Sequence, residues 1–164
     1  AAGAAREDGF IAGLKNTGIT LLEENKRTSA FTLESGYEAA LDLLESKCDI
    51  DVISCATDTI AAGAIEAIQT YLKKQVPANA ADAGARMRYI LENTSIRVTG
   101  FGDNQMLKAV TGGIPTIHFG YKTSGIRGTE LLLDSIERGE QIPIEMKLGF
   151  HLVGTDLSDS ENHT

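Results

Sequence analysis

The chain has 164 residues and a net charge of −8, with 42% hydrophobic and 23% charged residues, the make-up of one globular domain. Its 15 Lys and Arg are scattered, which argues against a surface for phosphate backbones. No apolar run approaches the ~20 residues that span a bilayer, and no basic and apolar leader opens the sequence.

Residues 4–16 are predicted to be a helix, with Phe10, Ile11 and Leu14 on one face and Gly18 ending it in a left-handed turn. Ile19 to Glu23 reads as a strand, and 24–32 as a polar loop in which Phe31 is the lone large apolar group. A second helix is expected over Glu34 to Ser46, where Tyr37, Ala40, Leu41 and Leu44 recur at helical spacing. Asp51 to Cys55 reads as a strand buried on both faces. Thr57 or Asp58 can then cap a helix running to about Lys74, with Ile60, Ala64, Ala67, Ile68 and Tyr71 inward.

Residues 76–86 are rich in Ala, Gly and Asp and read as a loop, followed by a short helix over Arg86 to Asn93. Ile96 to Phe101 is a further strand, after which Asp103 can cap the helix that carries Met106, Leu107 and Val110. Gly112 and Gly113 break that helix, Thr116 to Phe119 is extended, and Thr123 to Arg138 is a long helix. On that helix Gly125 and Gly128 share a face that another backbone could approach. Ile144, Met146, Leu148, Phe150 and Leu152 alternate strictly, the clearest strand pattern in the chain. The tail from Asp156 is polar.

Strand and helix alternate, which predicts an α/β fold: a three-layer sandwich with a mainly parallel sheet. Ligands bind such sheets beyond the carboxyl ends of the strands. The Thr57-Asp58 and Gly102-Asp103 loops are expected there, with Phe31 near a third such loop.

Several signals are read as bland. Cys48 and Cys55 have neither zinc nor CxxC spacing and are expected to be reduced thiols. Asn93-Thr94-Ser95 and Asn162-His163-Thr164 match glycosylation sequons by chance. Gly100-Phe101-Gly102 opens a dinucleotide-type pattern, but Gln105 stands at its third glycine. His118, His151 and His163 have no nucleophile motif beside them, and His118 and His151 read as structural residues in strands. No metal and no cofactor are expected.

Five motifs occur in one order: Arg6-x-x-Gly9-Phe10; Phe31 followed by Ser35-Gly36-Tyr37; Ile53 to Ala64 with Thr57-Asp58 at its turn; Gly100-Phe101-Gly102-Asp103-Asn104; and Ile114-Pro115-Thr116-Ile117-His118. Together they resemble the effector-binding region of LacI-family regulators, over about residues 6–153. The Gly-Phe-Gly-Asp-Asn turn and the Ile-His-Phe-Gly-Tyr-Lys run look most like repressors of sucrose or fructose operons. The resemblance implies that 1–155 form the second, C-terminal lobe of a periplasmic-binding-protein-like fold. In it, 122–139 would be a helix normally lent to the first lobe, and 156–164 a tail. The family's DNA-binding head and most of its first lobe are expected to have no counterpart in this sequence, and residues 76–95 are a longer, Ala-richer link than the family's.

What the resemblance implies for function is a cytoplasmic repressor, not an enzyme. It would bind a small sugar or sugar phosphate between two lobes, act as a homodimer, and reach operator DNA only through the head. The matching Arg6 would donate to ligand oxygens, since a guanidinium has five donors in a fixed fork. Its bland alternative is a surface Arg in a first helical turn. Phe31 would stack on a sugar's apolar face or else anchor its loop. Thr57 would touch ligand or cap a helix, and capping is the preferred reading for Asp58. The family's ligand-binding Asp directly follows the aromatic; here Gly102 takes that place and Asp103 follows, so Asp103 is either a displaced ligand group or a cap. Phe119 would lie near the cleft. The rival functions are a periplasmic-type sugar-binding protein, a nucleotide-binding α/β enzyme and a pure interaction module.

Overall fold

The computed structural model describes residues 2–46, 49–73, 82–139 and 143–154. Helix α1 spans Ala2–Asn16 and α2 spans Leu33–Glu45. Strand β1 (Val52–Ser54) leads into α3 (Asp58–Leu72), and α4 (Ala83–Glu92) precedes β2 (Arg97–Thr99). Helix α5 (Gln105–Thr111), strand β3 (Thr116–Phe119), helix α6 (Tyr121–Arg138) and strand β4 (Phe150–Val153) follow.

Strands β1 and β2 pair in parallel, with Ile53 opposite Val98, and β3 and β4 pair antiparallel, with His118 opposite His151. Two backbone bonds join these ladders edge to edge: Gly100 N–H donates to Pro115 C=O at 2.8 Å and Gly102 N–H to Ile117 C=O at 2.9 Å. Donors and acceptors advance together by two residues, which is parallel pairing. The described residues thus hold two two-stranded sheets, β1-β2 and β3-β4, joined through the segment that follows β2.

The core sits around α3. Ile65, Ile68, Ala61, Ala64 and Ala67 are buried, with Leu44 from α2, Ile90 from α4 and Val98 from β2. Helices α2 and α3 touch backbone to backbone through two glycines. A Cβ at Gly36 would fall 2.7 Å from the Ile60 carbonyl oxygen, and one at Gly63 would overlap the Leu33 carbonyl. Side-chain caps set the helix starts: Thr32 for α2, Thr57 for α3, Asp82 for α4 and Asn104 for α5.

Several expectations need correction. Residues 19–22 are irregular and lead into a 3-10 turn at Glu23–Asn25; Ile19 and Leu22 are about half exposed, so this stretch has no apolar face to bury as a strand. Strand β1 is buried on one face only, with Val52 outward and Ile53 inward. Tyr71 is exposed, and Ile65 takes an inward position of α3 that the spacing did not single out. The alternation over 144–152 becomes a strand only from Phe150, because β3 offers partners to four residues, Phe150 to Val153. Nothing approaches within 4 Å of a Cβ at Gly125 or Gly128 among the described residues; the close backbone approach is at Gly36 and Gly63. Gly18 (φ +80°) and Gly112 (φ +83°) do adopt the left-handed turns expected of them. The loop expected over 76–86 is helical from Ala83, because Asp82 caps α4 there; its part up to residue 81, Cys48 and the polar tail lie outside the described residues.

Candidate functional site

The carboxyl ends of β1 and β2 and the first residue of β3, Thr116, converge on one buried carboxylate. Asp58 opens α3, and its side chain is only 4% exposed. Its Oδ1 accepts from the Thr116 hydroxyl and its Oδ2 from Asn104 N–H, both at 2.6 Å. Asp58 N–H donates to Phe101 C=O at 3.1 Å. One residue therefore ties the β1–α3 turn to the β2–α5 turn and to β3. The space for it exists because residue 100 is glycine, where a Cβ would overlap Asp58 Oδ1. Capping of α3 belongs to Thr57, whose hydroxyl accepts from Ile60 N–H at 3.2 Å, so the capping expected of Asp58 is corrected. A cavity of about 10 Å³, room for one water, adjoins this carboxylate between Asp103, Leu107 and Gly154.

Above this node lies a strip of rings. Phe101 and Phe119 stand 4.8 Å apart between ring centres, Phe119 and Tyr121 6.2 Å, and Tyr121 and His118 5.8 Å. Arg6 reaches over from α1. Its guanidinium carbon lies 3.8 Å from the centre of the Phe101 ring, a cation–π contact, and its Nη1 donates to Ala56 C=O at 2.6 Å. That carbonyl lies just past β1, so the Arg6 head is held at the strand ends with donors to spare. Phe31 is exposed and lies beside the first turn of α1, where a Cβ at Gly3 would meet its ring edge at 3.8 Å.

The structure thus brings Arg6, Thr57, Gly102, Asp103 and Phe119 to one end of the sheet, with Phe31 one helical turn from Arg6. Asp103 does not cap α5; Asn104 does, accepting from Leu107 N–H at 3.0 Å. Asp103 instead adopts a positive φ of +50° and turns its carboxylate to His118 Nδ1, 2.8 Å from Oδ2. Three residues of the strip were not singled out from sequence. Phe101 and Tyr121 lie inside the quoted motif runs, so an aromatic flanking each turn was the available signal. His118 read as a structural strand residue, and no spacing links it to Asp103.

Cys55, just past β1, is a free thiol in the core. Burial, and secondarily the negative charge of Asp58, push its pKa up to about 12. A second groove of about 500 Å³ lies between Tyr37, the end of α3 and Arg86, and gathers none of these residues. Among the described residues no cluster of three or more His, Cys, Asp or Glu could hold a metal ion, and no helix is long and apolar enough to cross a membrane.

Comparison with known families supplies the decisive observation. Residues 1–87 match the family described as periplasmic binding proteins and sugar binding domain of LacI family. The chain belongs to this family. The matched stretch carries Arg6, Phe31 and Thr57-Asp58 of this periplasmic-binding/LacI-type domain. Solved structures agree in fold. A transcriptional regulator CelR–cellobiose complex superposes with a TM-score of 0.71 at 21% identity, covering 90% of this chain and 40% of that one. The lactose repressor bound to the anti-inducer ONPF gives 0.68 at 20% identity, covering 91% and 48%. A LacI-family regulator from Lactobacillus casei with bound sucrose gives 0.62 at 17% identity, covering 92% and 50%. The chain therefore spans half or less of the length of these structures. No curated protein matches it.

Proposed function

We propose that this domain is the effector-sensing part of a sugar-responsive transcriptional repressor, and that its ligand lies on the Arg6–Phe101–Phe119 surface. The observation that carries the reading is the guanidinium held over an aromatic strip at the strand ends. A pyranose offers both an apolar face for rings and paired oxygens for a donor fork. The sucrose- or fructose-type assignment rests on the Gly102-Asp103 turn and the His118-to-Tyr121 run. One structural neighbour was solved with sucrose and another with cellobiose.

In this reading residues 1–155 supply one wall of a two-lobed cleft and 122–139 pack against the other lobe. In support, no residue of α6 is buried, and Leu132, Leu133 and Ile136 stand more than half exposed. Such apolar surface also favours a homodimer. Ligand would favour one arrangement of the lobes and so alter the operator affinity of attached heads. The protein would act in the cytoplasm, without catalysis.

Calorimetry on the full-length protein with sucrose, fructose, glucose, cellobiose and their phosphates tests this. One saturable sugar is expected, lost in Arg6→Ala. Flat heats for all of them would refute it. The family's description also covers periplasmic binding proteins. A sugar-dependent change in operator binding separates the repressor from that alternative.

A further inference from the structure

From sequence Asp103 is either a displaced ligand group or a cap, yet its side chain is only 9% exposed and its Oδ2 faces His118 Nδ1 at 2.8 Å. A carboxylate can only accept, so Nδ1 of His118 carries the proton of that bond. In the neutral imidazole the other ring nitrogen, Nε2, is then a bare acceptor. The His118 side chain is 38% exposed, and its ring stands edge-on to Tyr121 at the end of the aromatic strip opposite Arg6.

We infer that His118 is the specificity-determining acceptor of this site: Asp103 fixes its tautomer, and Nε2 receives a hydrogen bond from a sugar hydroxyl. The inference rests on the ligand surface proposed above. Arg6 only donates. A ligand lying along the rings would therefore meet a donor fork at one end and an acceptor at the other. That pattern selects a neutral polyol with a free hydroxyl at the His118 end. The turn supports the device. Asp103 N–H donates to the Thr116 hydroxyl at 3.3 Å, and that hydroxyl donates to Asp58. Gly102 C=O accepts from the Tyr121 hydroxyl at 3.3 Å. Asp103 is thus a positioning residue, with the peptide before it held by these two bonds and the one after it by Asn104 N–H donating to Asp58. The groups facing the imidazole are Asp103 from the turn, Tyr121 from α6 and His151, whose ring stacks at 6.3 Å, from β4.

Two measurements test this. In nitrogen-15 NMR of the native protein, the neutral His118 ring is expected to carry its proton on Nδ1, and Asp103→Ala is expected to release it to the other tautomer. A proton on Nε2 in the native protein would overturn the inference. In calorimetry with sucrose and cellobiose on the full-length protein, His118→Phe keeps a ring but removes the acceptor. It is expected to weaken binding about tenfold, the effect of one unmade hydrogen bond. His118→Gln, which restores an acceptor, is expected to recover most of it. If Arg6→Ala loses binding while His118→Phe binds like the native protein, the ligand surface stands and the role of His118 falls. If the native protein takes up none of the sugars and sugar phosphates named above, both fall together.

Discussion

Removing the Asp58 side chain should unfasten three strand ends at once. Asp58→Ala deletes two charge-assisted hydrogen bonds, to Thr116 and Asn104, each at 2.6 Å. Such bonds contribute about 1.5–3 kcal/mol each, and a carboxylate at a helix start adds about 0.3–1 kcal/mol. The carboxylate also recovers hydration in the unfolded chain, which offsets part of this sum. The expected net loss is about 3–5 kcal/mol, somewhat below the sum of these contributions. For a chain of this size each kcal/mol lowers Tm by about 2–4 °C, so the shift should be about 6–20 °C. Asp58→Asn separates charge from geometry. Its oxygen can still accept from Asn104 N–H, and its amide can donate to the Thr116 hydroxyl, so about 1–2 kcal/mol should be lost. Urea unfolding followed by circular dichroism measures both variants. A loss below about 1 kcal/mol for Asp58→Ala, or equal losses for the two, would refute the clamp. A double-mutant cycle with Thr116→Val should show coupling, since the two side chains share one bond.

Gly63→Ala should destabilise the protein by about 1–3 kcal/mol or more, because its Cβ would overlap the Leu33 carbonyl and the two helix backbones would have to separate; thermal melting checks this, and an unchanged Tm would remove the glycine contact from the argument. Cys55 should resist a thiol reagent such as Ellman's at neutral pH until the chain unfolds. Its thiol, pushed up to about 12, is protonated in the folded state where the unfolded thiol ionises near 9. The folded chain therefore binds the extra proton, so this contribution to stability is complete below pH 9 and is lost as pH rises from 9 toward about 12. Cys55→Ala should flatten that slope in alkaline unfolding titrations, and an unchanged slope would assign it to other groups. Arg6→Lys should weaken sugar binding nearly as much as Arg6→Ala in the full-length protein, because an ammonium cannot reproduce the planar stack on Phe101; calorimetry showing full retention by Lys would mean that charge alone suffices.

The alternation of strand and helix, the starts of α2, α3 and α5 to within a residue or two, and the glycine turns at Gly18 and Gly112 were legible in the sequence, because these depend on local periodicity, capping and backbone freedom. The sequence also placed Arg6, Phe31, Thr57 and Asp103 in motifs whose order carried the family. Pairing was decided elsewhere. The apolar alternation over 144–152 exceeds the partner that β3 provides, and 19–22 has strand-like residues but no strand. A strand exists only where another edge accepts its bonds, and that edge is remote in the chain. Asp103 and Asn104 are both good caps, and nothing local says which will serve. Asp58 and Thr116 settle it by holding the Asn104 N–H and the Asp103 N–H, from 46 and 13 residues away in sequence. The turn is thereby fixed with Asn104 over the helix and Asp103 toward His118. Sequence names the polar residues of such a site; which of them faces ligand is a matter of who is already hydrogen-bonded to whom.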